Sequence, residues 1–125
     1  MENVESVNER PHKRLDTWKQ SMDFVSLIYQ QTMHYPREEE FGLKSQLRRA
    51  AVSVPSNVAE GLTRKSHTDK LHFLNIAQAS LSEIDTQLEI SRRLGYLNEE
   101  SYRDAEEHLV CIQKLLGGLI RKIRG

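Results

Sequence analysis

Tyr102, Ala105, Leu109, Ile112, Leu116, Leu119 and Ile123 follow one another at alternating spacings of three and four. A backbone that turns once in about 3.6 residues brings such positions onto one side, whereas a strand would scatter them over both faces. The segment can bury its apolar atoms only as a helix packed against something else. Three more segments carry the same period: Trp18, Met22, Val25 and Tyr29; Leu43, Leu47, Ala50, Val54 and Val58; and Leu74, Ala77, Leu81, Ile84 and Leu88. No segment alternates with the period of two that a half-buried strand requires. Four amphipathic helices predict an all-α fold in which the apolar sides share one core.

The residues between the stripes set the topology. Tyr35-Pro36 ends the first helix, because proline pushes its predecessor out of helical geometry and has no amide hydrogen to donate. Glu38, Glu39 and Glu40 read as the acidic first turn of the second helix, and Gly61 is placed to take the left-handed position that closes it. Ser66, three residues before Asp69, is placed to cap the third helix. Gly95 and Asn98 repeat the arrangement ahead of the fourth, with Glu99 and Glu100 at the favourable end of its dipole. Helices are expected at 16–34, 39–60, 67–94 and 98–123. Short connections force neighbours to run in opposite directions, which gives an antiparallel up-down-up-down four-helix bundle. Pro55 lies inside the second helix, removes the donor to the carbonyl of Ala51 and predicts a kink there. Ser53, Ser56 and Asn57 offer polar groups around it, while Ala50, Ala51 and Ala59 permit a close neighbour.

A chain of 125 residues fits one core, so residues 15–125 are expected to form a single domain behind a flexible polar tail at 1–14. With 38% hydrophobic and 29% charged residues the chain is too apolar to be disordered and too polar for a membrane protein. The tail lacks the apolar run of a signal peptide. The longest apolar stretch, 109–120, is interrupted by Gln113 and Lys114 and falls short of about 20 residues. A soluble, cytoplasmic protein is the expectation. Cys111 is the single cysteine and sits among helical apolar positions, which predicts a buried thiol.

Reaction chemistry is not written in this sequence. No two of His12, His34, His67, His72 and His108 have the spacing of three or four that places two imidazoles on one helical face for a metal. Asp104 and His108 are four apart and read as a surface pair. There is no phosphate-cradling glycine loop and no strand-to-helix nucleophile turn. No enzyme activity, cofactor or metal is expected.

Charge is more informative. The net charge is zero, yet residues 41–70 carry six basic and two acidic side chains, 71–110 carry three and eight, and 111–125 carry four and none. Lys44, Arg48 and Arg49 on the second helix, Arg64, Lys65 and Lys70 around the next connection, and Arg121, Lys122 and Arg124 near the C-terminus are the candidates for contacting phosphates. A structural use competes with this reading. Arg48 and Arg49 can pair with Glu83, Asp85 or Glu89 of the third helix, and the last three cations suit the negative end of their own helix. No aromatic residues interleave with these cations, so backbone contact is expected in preference to base stacking.

The block QLRRAAVSVPSNVAEG at 46–61, followed by FLNIAQASLSEIDTQLEISRRLGYL at 73–97, resembles the bacterial four-helix-bundle family that includes proteins encoded in intervening sequences of 23S ribosomal RNA genes. The similarity spans about 15–124, nearly the whole chain. A related branch, the accessory proteins of diversity-generating retroelements, forms pentameric barrels that bind nucleic acid and a reverse transcriptase. The zero net charge here departs from the strongly basic character of that branch. The resemblance implies a homo-oligomer, in particular a pentamer, with a role tied to RNA or DNA and no known enzyme activity.

Assembly is also legible without the resemblance. Val110, Leu115 and Ile120 lie beyond the main stripe of the fourth helix, and an apolar second face needs a second partner. Gly117-Gly118 would each cost about 1 kcal/mol relative to alanine in a helix interior, which close packing against another subunit can offset and a frayed end would avoid. Two functions remain, a nucleic-acid- or ribonucleoprotein-associated module and a structural adaptor or scaffold between proteins, with the reverse-transcriptase accessory protein of a retroelement as the further alternative.

Overall fold

A computed structural model of the chain describes residues 12 and 15–125, so the expected tail at 1–14 lies, but for His12, outside the described residues. Four helices follow in order: α1 (Asp16–Thr32), α2 (Leu43–Thr63), α3 (His67–Arg93) and α4 (Glu99–Arg124), with one 3-10 turn at Arg37–Glu39 before α2. Each helix packs on the next and α4 returns to α1, while the backbones of the diagonal pairs stay apart. The result is a square, antiparallel bundle without strands among the described residues. The α1/α2 side therefore faces away from the α3/α4 side.

The caps explain where the helices stop. Ser66 Oγ accepts from the Asp69 amide at 3.1 Å and Asn98 Oδ1 from the Ser101 amide at 2.8 Å, so both expected N-caps form. Gly95 takes φ +81°, the left-handed turn that only glycine adopts easily, and the Tyr96 amide reaches back to the Ser91 carbonyl at 2.9 Å. The start of α2 departs from expectation. Glu38 and Glu39 lie in the separate 3-10 turn, and α2 begins only at Leu43, after Gly42. Glu39 caps from outside: its Oε1 accepts from the Leu43 amide at 2.9 Å, and its Oε2 from the Tyr96 hydroxyl at 3.2 Å. That one carboxylate joins the α1–α2 and α3–α4 connections.

Gly61 also does something other than expected. It does not close α2 in a left-handed conformation, because α2 runs on to Thr63. It is buried, and a Cβ there would stand 3.1 Å from the Lys70 carbonyl oxygen and 3.2 Å from Phe73 Cβ. The glycine lets α2 and α3 approach. Around Pro55, Ser56 Oγ donates to the Val52 carbonyl at 2.8 Å, and the Asn57 amide donates to the Ser53 carbonyl at 2.8 Å and its hydroxyl at 2.9 Å. Ser80 of α3 donates to that same Ser53 hydroxyl at 2.9 Å, so the polar residues of the proline segment tie α2 to α3.

The expected stripes of α2 and α3 are all buried. The stripe of α1 is displaced by one residue. Its core side is Thr17, Ser21, Phe24, Ile28 and Thr32, whereas Met22 and Tyr29 are exposed and Trp18 and Val25 half-buried. Burial of hydroxyls is feasible because they bond within their own helix: Ser21 Oγ donates to the Thr17 carbonyl at 2.6 Å and Thr32 Oγ1 to the Ile28 carbonyl at 2.7 Å. In α4 the buried side is Ala105, Leu109, Ile112, Leu116 and Ile120. Ile120, expected on a second face, belongs to the core, while Leu119 and Ile123 pack at its edge. Cys111, expected to be buried, is exposed because it precedes the core position Ile112 by one residue, about 100° around the helix.

Candidate nucleic-acid interface

The antiparallel arrangement divides the nine candidate cations between the two ends of the bundle. α3 and α4, of 27 and 26 residues, each extend about 40 Å from their shared turn. The start of α3 therefore lies level with the end of α4. Arg64, Lys65 and Lys70 of the α2–α3 connection and Arg121, Lys122 and Arg124 of α4 thus share one pole. Segments 15–21, 60–72 and 111–125, which build this pole, carry eight basic side chains against three acidic. Lys44, Arg48 and Arg49 sit in the opposite half, near the start of α2.

Individual placements differ within each group. At the cationic pole Lys65, Arg121, Lys122 and Arg124 are exposed, and Lys70 is half-buried. Arg64 pairs with Glu60 one turn back and lays its guanidinium over the Phe73 ring at 4.7 Å. The Arg121 guanidinium folds back across Gly117 and Gly118, which stay helical. In the other half Lys44 pairs with Glu40 at 2.9 Å. Arg48 is committed to α1: it donates to Thr32 Oγ1 at 2.9 Å and to the Tyr29 carbonyl at 3.1 Å, with its guanidinium 4.3 Å from the centre of the Tyr29 ring. Arg49 is exposed and makes no ion pair or hydrogen bond among the described residues.

The competing expectation, that Arg48 and Arg49 pair with acids of α3, is not what forms. Glu89 is held by Arg92 of its own helix at 2.8 and 2.9 Å and by Arg93 at 3.4 Å, which keeps its carboxyl below the usual range. Arg92 also reaches Glu99 at 3.3 Å and stacks over the Tyr102 ring at 4.4 Å, fixing the α3–α4 corner. His108 and Asp104 approach to 3.9 Å as a partly exposed pair.

A carboxyl cluster beside that corner is not apparent from the sequence. Asp85 and Glu89 of α3 and Glu106 of α4 line one groove with Tyr102, Ile90 and Arg93. Glu106 Oε2 is shut off from solvent with no hydrogen-bond partner. Desolvation, and then the facing Asp85, push the Glu106 carboxyl up to about 7. Asp85 and Glu106 can satisfy one another only while one of them holds a proton. A carboxyl raised on folding favours the protonated fold, so this contribution is complete below the ordinary glutamate range and is lost as pH rises through about 7. The monomeric chain is expected to lose on the order of 1 kcal/mol of stability between pH 5.5 and pH 8, after allowance for solvent screening, and Glu106→Gln to remove that loss. Urea denaturation of both proteins at the two pH values measures it; identical slopes against pH would show the pair has no such role.

Among the described residues no helix is long and apolar enough to cross a membrane. A family model described as 23S rRNA-intervening sequence protein matches residues 13–118. The crystal structure of a protein with unknown function from the S23 ribosomal protein family of Bacteroides thetaiotaomicron superposes with a TM-score of 0.75 at 27% identity, covering 83% of this chain and 97% of that one. Comparison with curated proteins finds no match.

Proposed function

The chain belongs to the 23S rRNA-intervening sequence protein family, and from that premise we propose that it is a non-enzymatic, self-assembling four-helix-bundle protein that holds nucleic acid by its phosphates. The observation that carries the reading is the gathering of Arg64, Lys65, Lys70, Arg121, Lys122 and Arg124 at one pole from two separate parts of the chain. Five of those six side chains are exposed cations, the kind that displace counterions from a phosphate backbone. Phe73, the one aromatic ring that meets a cation at this pole, is covered by Arg64, which favours backbone contact over base stacking. Arg48 is occupied with α1 and takes no part.

The test is binding of an RNA hairpin and a DNA duplex of equal length, measured by fluorescence anisotropy across salt concentration. Affinity should fall steeply with salt. The double variant Lys122→Glu, Arg124→Glu should weaken binding and flatten the slope of log K against log salt by about 2. Absence of binding to either polymer at low salt, with the helical content intact, would sink the reading. A protein-binding adaptor is the second reading, and one observation favours it: the ring of Phe41 is 95% exposed beside an open groove on the α1/α2 side. Light scattering checks the self-assembly and its expected five copies.

A further inference from the structure

Two grooves on opposite sides of the bundle complement each other. The α1/α2 groove is lined by Tyr29, Phe41, Lys44, Arg48, Arg49 and Val52, with one acid, Glu40, paired to Lys44. It is cationic and carries large exposed apolar groups: Phe41 is 95% exposed and Val52 41%. The α3/α4 groove is lined by Asp85, Glu89, Ile90, Tyr102 and Glu106, with Arg93 at its rim. It is anionic at its centre, and Ile90 is 41% exposed. Both lie in the half of the bundle away from the cationic pole, at the same level along the axis, because α2 begins where α3 ends.

What each groove lacks, the other supplies. Glu89 has its arginines, but Glu106 faces Asp85 with no cation paired to either among the described residues, and Glu106 Oε2 is buried without a partner. Arg49 is an exposed guanidinium without an acid among the described residues. We propose that the α1/α2 groove of one copy docks on the α3/α4 groove of the next, with Arg49 entering between Asp85 and Glu106 and with Val52 and Phe41 covering Ile90. The contact joins two different faces, so every open chain of copies keeps one unused face of each kind at its two ends until it closes. Parallel bundle axes follow from the equal level of the two grooves, and a closed ring is the form such contacts reach when the rotation per copy divides a full turn. A neighbour's guanidinium also favours the ionised Glu106 carboxyl, so the pH-dependent loss of stability described above belongs to the dissociated chain.

This interface rests on the self-assembly in the preceding reading and is independent of nucleic-acid binding. Val52→Glu spoils only the first face and Ile90→Glu only the second, and both side chains are exposed in the single bundle, so the fold is retained; circular dichroism checks this. Measured by light scattering, the wild-type chain should be an oligomer and each variant alone a monomer. Mixed in equal amounts, the variants should form a dimer and stop there, because one intact pair of faces remains. The charge exchange Arg49→Glu with Asp85→Arg in one chain should assemble better than either single reversal. A monomeric wild-type chain would overturn both the self-assembly and this interface, leaving the grooves to a foreign protein. A wild-type oligomer whose mass neither variant changes, or folded variants that stay monomeric when mixed, would overturn this pairing alone.

Discussion

Phe24→Ala should destabilise the bundle by about 3–5 kcal/mol, whereas Met22→Ala two residues earlier should change stability by less than about 1 kcal/mol. Phe24 has no exposed surface and lies on the side of α1 that packs against α2 and α4, with its ring 6.4 Å from the His108 ring. Removing it leaves a void among close-packed neighbours that can collapse only in part. Met22 is 42% exposed, so its truncation removes contacts that water already shares. Urea denaturation of the two variants under conditions that keep the chain monomeric decides the matter. Equal losses would mean that α1 is rotated from the position described.

Gly61→Val should be the most damaging of the glycine substitutions, at about 2–3 kcal/mol or more. Its Cβ would meet the Lys70 carbonyl and Phe73 Cβ at 3.1 and 3.2 Å, and both belong to the first turns of α3, where neither atom can swing aside as a side-chain tip can. Gly118→Ala should act in the opposite direction. There the nearest side-chain neighbour of an added Cβ is the tip of the Arg121 guanidinium at 3.9 Å, so the gain in helix propensity of up to about 1 kcal/mol is retained. Thermal unfolding of the two variants should move the midpoint down for the first and up for the second. A stabilised Gly61→Val would show that α2 and α3 have room to separate.

The contrast between α1 and the two helices after it shows what kind of information a sequence carries about a bundle. In α2 and α3 every residue of the expected stripes is apolar and every one is buried, so periodicity alone suffices. In α1 three of the five buried positions are Thr17, Ser21 and Thr32. Their polarity disguises them, and Trp18, Met22, Val25 and Tyr29 present a more apolar period one residue away. Only the local bonds of Ser21 and Thr32 to carbonyls of their own helix make the polar side the inner one, and such bonds have no signature in hydropathy. In α4 the same uncertainty placed Ile120 outside and Cys111 inside, the reverse of what the bundle adopts.

The candidate site was legible as residue types and not as a place. Nine cations could be picked out, but their division between two poles depends on which helices run in which direction and how long each is. The burial of Glu106 against Asp85 is out of reach for a further reason. It depends on the register of α3 against α4, which Gly95 and Asn98 set through the geometry of the turn.

The polar ties between helices are unevenly distributed along the bundle. Gln31 to Ser101, Arg48 to Thr32, Gln87 to Gln46 and Tyr96 to Glu39 all fall in the half that contains the α1–α2 and α3–α4 connections, and Ser53 to Ser80 falls at mid-length. Beyond that point, among the described residues, no side-chain hydrogen bond joins one rod to another, and apolar contacts are supplemented by the Arg64 guanidinium over Phe73. Directional bonds pin a geometry, while dispersion and water exclusion tolerate small sliding. The molecule is thus built like a tied sheaf: stiff where copies would have to match one another, and compliant at the tip where arginines and lysines would have to follow the uneven contour of a polyanion.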